Sequence, residues 1–268
     1  MYKSVIFYFS GTGNTWWVAD RIKKQLDAKN INADAVSIDK LDAKKANWWI
    51  KTADLVFFGW PVYFSDAPEP MKRFINNLLP IKKGKHIHTF CTQASFSGDG
   101  AWCCHKLFEQ KGLIVDSTQH FIMPSNKKIY RGEAGEAKAL AIMAACDKQV
   151  EHYIEDLLIG KSRLIGKHSY ALGMLQRVPF GLLAKAYKRM GADKTRCTRC
   201  GLCAQLCPSG NISMAGFPEF ADKCSHCMRC YALCPASAIT INGRPLNAKK
   251  PVRPYVVHDK RFKPSVLK

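Results

Sequence analysis

Strand-like and helix-like patterns of apolar residues alternate over the first 160 residues. Residues 2–9 form an apolar, β-rich run, and Val18, Ile22 and Leu26 follow it at the four-residue spacing of a helix. Further short strand patterns lie at 33–38, 54–59, 85–92 and 114–122, and helical patterns lie near 69–79, 101–111 and 134–159. Strands that alternate with helices indicate a parallel sheet covered on both faces. The pattern therefore predicts an α/β domain over 1–160, built on a doubly wound, five-stranded parallel sheet.

The rest of the chain divides into three segments of different composition. Residues 161–192 are basic with apolar residues mixed in, and they predict a helical connector. Residues 193–242 are rich in cysteine and predict a small second domain. Residues 243–268 contain four prolines and little periodicity, which predicts an irregular strap or a mobile end.

Eight of the twelve cysteines form two runs of identical spacing. Each run reads Cys-x2-Cys-x2-Cys-x3-Cys-Pro, and the second repeats the first at an offset of 27 residues. Structural zinc sites usually use two separated cysteine pairs, whereas this run is typical of bacterial ferredoxins with two clusters. In those proteins the fourth cysteine of each run binds the other cluster. We therefore predict two 4Fe–4S clusters, one on Cys197, Cys200, Cys203 and Cys234, and the other on Cys224, Cys227, Cys230 and Cys207.

A glycine-containing turn joins the first predicted strand to the first predicted helix. Hydroxyls, backbone amides and a helix N-terminus can surround a phosphate without a cationic side chain. A dinucleotide fingerprint would need a third glycine where Trp16 stands, and a P-loop would need Gly-Lys-Ser/Thr, which is absent. The turn therefore predicts a phosphate site formed by Ser10, Gly11, Thr12, Gly13, Asn14 and Thr15.

Two later loops follow the third and fourth predicted strands. The first offers large aromatic side chains that can stack on an isoalloxazine ring, and its candidate residues are Trp60, Pro61, Val62, Tyr63 and Phe64. The second is polar and flexible enough to serve the pyrimidine edge of such a ring, and its candidate residues are Thr92, Gln93, Ala94, Ser95, Phe96, Gly98 and Gly100. The simpler interpretation is that the aromatic residues only cover the end of the sheet. Next to a phosphate-type turn, the two loops favour a flavin site.

These motifs carry a resemblance to known families. Residues 1–160 resemble a flavodoxin, and residues 193–242 resemble a bacterial ferredoxin with two 4Fe–4S clusters. The combination is similar to the flavodoxin–ferredoxin fusions of anaerobes called EFR1-family ferredoxins. The resemblance implies FMN, with Ser10, Thr12, Asn14 and Thr15 at its phosphate and the two later loops around its ring. Trp16 and Trp17 depart from the pattern, and we expect at least one of them beside the flavin.

The charge of the chain is strongly positive and unevenly spread. The net charge is +20, and residues 161–268 hold 20 Lys and Arg against 4 Asp and Glu. Anionic clusters and the FMN phosphate offset only part of this excess. The remaining charge fits a solvated face around the clusters, a docking surface for an acidic redox partner, or a nucleic-acid or lipid patch. We rank these interpretations in that order and expect no nucleic acid, because no recognition motif accompanies the charge.

The apolar segments also bear on location. The longest late apolar stretch, around 170–184, is interrupted by Gln176, Arg177 and Pro179, so it falls short of a membrane span. The first apolar run is too short for a signal peptide, and no small-residue cleavage site follows it. We therefore expect no transmembrane segment and a cytoplasmic location.

Two functions remain open at this point. In the first, the chain transfers electrons between its clusters and FMN and on to a partner protein, with one cluster near the flavin and the other near the surface. In the second, it is a flavin-dependent reductase whose small-molecule acceptor, quinone-like or other, meets the ring beside Trp60, Tyr63 and Phe96. No nicotinamide-binding fingerprint is present. This favours the carrier slightly.

Overall fold

The first half of the chain is a five-stranded parallel sheet covered on both faces. The computed structural model describes residues 2–39, 41–82, 84–126, 132–177, 190–245 and 255–267. The strands run in the order β2-β1-β3-β4-β5, and every neighbouring pair is parallel. Their bounds are β1 Lys3–Tyr8, β2 Asn32–Ser37, β3 Leu55–Pro61, β4 Lys85–Gln93 and β5 Leu113–Ile122. This order is the flavodoxin-like one, so the predicted fold class is confirmed.

Helices cover the two faces of this sheet. Their bounds are α1 Asn14–Ala28, α2 Ala43–Thr52, α3 Glu69–Asn77, α4 His105–Gln110 and α5 Gly132–Leu158. Helices α1 and α5 pack on one face and α2, α3 and α4 on the other, each over its own apolar core. The sequence pattern did not predict α2, and the helix predicted near 101–111 begins only at His105, because residues 98–104 form turns. Among the described residues, no helix is long and apolar enough to cross a membrane.

The connector is helical only in part. After α5 the chain is largely irregular up to a short 3-10 turn, Lys167–Ser169, and a helix follows at 170–177, which we call α6. Residues 178–189, which the sequence pattern also assigned to the connector, lie outside the described residues.

The cysteine-rich segment folds into a small α+β domain. Its elements are β6 Met190–Ala192, α7 Leu202–Gln205, β7 Ile212–Ala215, β8 Phe217–Phe220, α8 Arg229–Ala232, β9 Ile239–Ile241 and β10 Arg244–Pro245. The strands form a three-stranded sheet, β10-β9-β6, and a hairpin, β7-β8. Each cysteine run contains one short helix, α7 in the first and α8 in the second. The predicted ferredoxin-like architecture is confirmed.

The described part of the C-terminal tail, residues 255–267, forms a strap across the first domain. The backbone N–H of Val257, in this strap, donates to the carbonyl oxygen of Thr12 at 2.9 Å. Near its end, the hydroxyl of Tyr8 donates to the carbonyl of Val266 at 2.6 Å, and Leu267 is fully buried. The strap therefore covers α1 and the turn that precedes it. Residues 246–254 lie outside the described residues.

Candidate flavin and cluster sites

A cavity of about 410 Å³ opens at the carboxyl ends of β1, β3 and β4. In an open parallel sheet, ligands bind beyond these ends, at the point where the strand order reverses. The volume falls within the range of small-molecule sites. The lining residues are Ser10, Gly11, Thr12, Asn14, Thr15, Pro61, Val62, Tyr63, Phe64, Ser65, Thr92, Gln93, Ala94, Ser95, Phe96, Ser97, Pro124, Ser125, Asn126, His226 and Met228.

The turn between β1 and α1 forms the floor of this cavity. Gly13 adopts φ 102°, and α1 begins there without a side-chain cap, so its first N–H groups lack side-chain partners. The Ser10 hydroxyl is buried with no hydrogen-bond partner among the described residues. The hydroxyls of Thr15 and Thr92 lie 2.8 Å apart and connect the turn to the end of β4. Uncapped amides and an unpaired buried hydroxyl form a donor set that fits a phosphate.

The loop after β3 supplies aromatic side chains to the cavity wall. Phe64 and Ser65 both adopt positive φ angles, 53° and 59°, in a tight turn closed by paired backbone hydrogen bonds between Tyr63 and Asp66. Burial raises the pKa of the Tyr63 phenol well above its ordinary value, so the hydroxyl stays protonated. This hydroxyl is buried and has no hydrogen-bond partner among the described residues.

Trp60 does not line the cavity, contrary to the sequence expectation. Its side chain is fully buried on the face of the sheet shared with Val56 and Phe58, and its indole N–H donates to the carbonyl of Gly100 at 2.9 Å. The alternation of side chains along β3 places it there.

Three glycines expected at the flavin also lie outside the lining, and so do both Trp16 and Trp17, at least one of which was expected beside the flavin. Gly13 faces the strap residue Val257, Gly98 faces Gly173 of α6, and Gly100 faces Ser97 of its own loop. Trp16 and Trp17 are buried in the core beneath α1. The Trp16 ring packs against Phe262 of the strap and the Trp17 ring against Arg21 of α1, so neither lies beside the cavity.

Helix α6 holds the two ring-side loops together, a role the sequence did not reveal. Arg177 donates from Nε to the Ser65 carbonyl at 3.1 Å and pairs through Nη2 with the buried carboxylate of Asp99. Ser65 belongs to the loop after β3, and Asp99 follows β4. Phe96 lies in the loop after β4, three residues before Asp99, and its side chain is 68% exposed at the cavity mouth.

The eight cysteines of the two runs divide into two sets of four, each surrounding its own cavity. Three cysteines of one run and the last cysteine of the other line each cavity. One set is Cys207, Cys224, Cys227 and Cys230, and the other is Cys197, Cys200, Cys203 and Cys234. In the described part of the chain, no group of three or more His, Cys, Asp or Glu side chains is arranged to hold a single metal ion.

Backbone amides point at several of these sulfur atoms. The N–H of Asn211 donates to Cys207 Sγ at 3.2 Å, and the N–H of Ala238 donates to Cys234 Sγ at 3.3 Å. The two bonds occupy equivalent positions in the two runs, four residues after the last cysteine of each. Hydrogen bonds to cluster sulfurs are one determinant of reduction potential. The donor sets therefore suit iron–sulfur clusters.

One cysteine set lies directly against the flavin cavity. A Cβ atom on Gly11 would lie 2.5 Å from the carbonyl oxygen of Cys227, so the two backbones are in contact. His226 and Met228 line the cavity itself, and the His226 ring meets Phe64 edge-on at 5.6 Å. The set that includes Cys227 is therefore the proximal set, and the set that includes Cys200 is the distal set. The sequence did not distinguish them.

Comparisons with known proteins agree with this architecture. The family model for a flavodoxin domain matches residues 5–110, and the model for a 4Fe–4S dicluster domain matches residues 189–235. A flavodoxin of Megasphaera elsdenii is 28% identical over 139 residues, which cover 51% of this chain and 98% of that flavodoxin.

Solved flavodoxins are similar to part of the chain. The flavodoxin of Streptococcus pneumoniae TIGR4 is 18% identical with a TM-score of 0.43, over 59% of this chain and 99% of that one. The two-electron reduced M. elsdenii flavodoxin is 24% identical with a TM-score of 0.40, over 54% and 98%.

The two matched domains define the class of the protein as an electron-transfer iron–sulfur flavoprotein. It joins a flavodoxin domain, which implies FMN, to a 4Fe–4S dicluster domain, which implies iron–sulfur clusters and redox partners.

Proposed function

We propose that the chain passes electrons between FMN and two 4Fe–4S clusters, and on to a partner protein. The contact between Gly11 and the carbonyl of Cys227 carries this proposal, because it brings the proximal set to the wall of the flavin cavity. The proximal cluster would be held by Cys207, Cys224, Cys227 and Cys230, and the distal cluster by Cys197, Cys200, Cys203 and Cys234. The order of the two domains supports a place among the EFR1-family fusions.

The cavity residues suit FMN from the phosphate to the ring. Ser10, Thr12, Asn14 and Thr15 would hold the phosphate at the start of α1, and the loops that carry Tyr63, Phe64 and residues 92–96 would enclose the ring. When bound, FMN exchanges one or two electrons and each cluster exchanges one, so the pair can connect single-electron and two-electron chemistry.

The distal set supplies the outer contact for a redox partner. Cys200 is the one exposed cysteine among the eight. Arg199 lines the cavity of this set, and both Arg199 and Lys194 lie over the Phe217 ring. Redox partners meet through small, charge-complementary interfaces, so we propose an acidic partner at this face. Cysteines that bind clusters favour a reducing, cytoplasmic setting over one in which disulfides form.

Anaerobic stepwise reduction, followed by absorbance and EPR, tests the proposal directly. About eight irons and one FMN per chain are expected, with the flavin reduced as electrons leave the clusters. Cys227→Ser should slow flavin reduction by an electron donor that reduces the distal cluster. A purified chain that holds iron but no flavin would contradict the proposal.

A flavin-dependent reductase is the second candidate, and the exposed Phe96 favours it. An exposed aromatic ring at the cavity mouth gives a planar, quinone-like acceptor a surface on which to stack. Steady-state reduction of a water-soluble quinone by wild type and Phe96→Ala distinguishes the two functions. A raised KM in the variant supports the reductase, and equal rates in both proteins indicate nonspecific flavin reactivity.

A further inference from the structure

Arg229 lies in the second cysteine run, next to Cys230, and is almost completely buried. Its relative exposure is 1%, and it is among the largest buried side chains of the chain. An isolated buried cation is strongly unfavourable, so such a residue is kept only where its charge and all its donors are matched. Its partners therefore indicate its role.

The partners of Arg229 come from three separate segments. Its Nε and Nη2 donate to the carbonyl of Ser10 at 2.9 and 2.7 Å, at the start of the phosphate turn. Its Nη1 forms an ion pair with Asp39, just beyond β2, and reaches the Leu206 carbonyl at 3.3 Å. The guanidinium also lies over the Phe9 ring, 4.8 Å from its centroid.

Only an arginine has the donors for this set of contacts. A guanidinium presents five N–H groups in a planar fork, whereas a lysine ammonium is a point charge on a flexible stem. Two of the acceptors belong to the flavodoxin domain, and Leu206 belongs to the first cysteine run. The side chain therefore joins the phosphate turn to both halves of the cluster domain.

We propose that Arg229 is a positioning residue that also sets the reduction potential of the proximal cluster, an inference that rests on the proposed function. Its hydrogen bonds hold the loop of Cys227 against the phosphate turn. Its buried positive charge favours the reduced, more negative state of the adjacent cluster, and the carboxylate of Asp39 opposes that effect. Net charge, hydrogen bonding and burial are the factors that tune such clusters.

Two substitutions of opposite electrostatic sign test the inference. Arg229→Met removes the positive charge and should lower the potential of the proximal cluster, whereas Asp39→Asn removes the negative charge and should raise it. The potentials are measured by EPR-monitored redox titration, and the distal cluster, which should not shift, is the internal reference. A loss of packing alone would not move the potential in opposite directions in the two variants.

A matched control and a second arginine variant complete the test. Arg199→Met removes an arginine from the distal set and should leave the proximal potential unchanged. Arg229→Lys keeps the charge but loses the fork, so it should preserve the potential better than Arg229→Met while slowing electron transfer from cluster to flavin. If Arg229→Met does not fold, Asp39→Asn still tests the effect of charge on the potential, and Arg229→Lys tests the positioning role.

Two failures are distinguishable. Wild-type protein without stoichiometric FMN and iron would overturn the proposed function. If the wild-type protein contains both, but neither Arg229→Met nor Asp39→Asn shifts the proximal potential from its wild-type value, this inference alone is overturned.

Discussion

Gly11 lies against the carbonyl group of Cys227 with no space between them for a methyl group. A Cβ on Gly11 would lie 2.5 Å from that oxygen and closer still to the hydroxyl of Tyr63. The φ angle of Gly11 is not among the positive ones, so the glycine is required for space and not for conformation. The contact between the two domains thus depends on the absence of a side chain at one position.

Gly11→Ala should separate the proximal cysteine set from the flavin cavity. The added methyl group must displace both the backbone carbonyl of Cys227 and the phenol of Tyr63, because it would overlap with each of them. We expect weaker FMN binding by at least tenfold and slower transfer from cluster to flavin, measured by fluorescence titration and stopped-flow absorbance. The double variant Gly11→Ala/Tyr63→Phe shows which of the two displaced groups weakens FMN binding. Recovery of binding would assign the effect to the phenol, and continued weak binding would assign it to the Cys227 carbonyl.

The crossed cysteine sets predict which cluster each substitution damages. Cys234→Ala should disturb the distal cluster, although its nearest cysteines in sequence belong to the proximal set. Cys207→Ala should have the converse effect. EPR spectra of the reduced variants, with iron quantified, report which signal is lost. Loss of the proximal signal in Cys234→Ala would show that the ligation is not crossed.

The strap predicts a link between the C-terminal segment and flavin retention. Leu267 is fully buried, and Leu→Ala at such a site costs about 2–5 kcal/mol. Because the strap contacts Thr12 and Gly13, Leu267→Ala should also speed FMN release. Thermal unfolding and fluorescence-monitored release measure the two effects. Lys263→Ala, an exposed position on the same strap, is the control and should change neither.

Buried histidine predicts a loss of stability in mild acid. Burial lowers the pKa of His88 to about 4, so this residue is neutral when folded and takes up a proton near pH 6.5 only when the chain unfolds. Stability is therefore present above pH 6.5 and declines as the pH falls toward 4. The decline due to His88 is about 2 kcal/mol between pH 7 and 5.

Urea unfolding of His88→Asn at both pH values measures this term. The variant should lose less stability between pH 7 and 5 than wild type. Ile87→Val, a buried position on the same strand without a titratable group, is the control and should lose as much stability as wild type. Equal losses in all three proteins would contradict a neutral, buried His88.

The strand and helix pattern predicted most of the first domain because its core is local and periodic. Val18, Ile22 and Leu26 are all fully buried on one face of α1, as their spacing requires. Helix α2 escaped prediction because its sequence is short and rich in lysine and tryptophan. Its buried Ala46 and Ile50 lie four residues apart and could have indicated it.

The candidate site was predictable in part. The phosphate turn and the loop residues that line the cavity follow directly from strand–loop chemistry. The prediction for Trp60 was wrong because it relied on the aromatic side chain and not on the residue's position in the strand. Trp60 lies two residues from Phe58 and four from Val56, so the alternation along β3 places all three on the same face, in the core. His226 and Met228 could not be assigned to the cavity, because their place depends on how two domains pack and no local pattern encodes that packing.

The turn after β1 is in contact with segments that lie far apart in the chain: Cys227 on one side and the strap on the other. During synthesis, residues 1–160 leave the ribosome well before either of these segments exists. In a flavodoxin domain that has just emerged, the turn would therefore lack both contacts, and tight retention of the flavin would await the cluster domain and the strap. Tight flavin retention would thus report that the cluster domain and the strap have both docked on the turn.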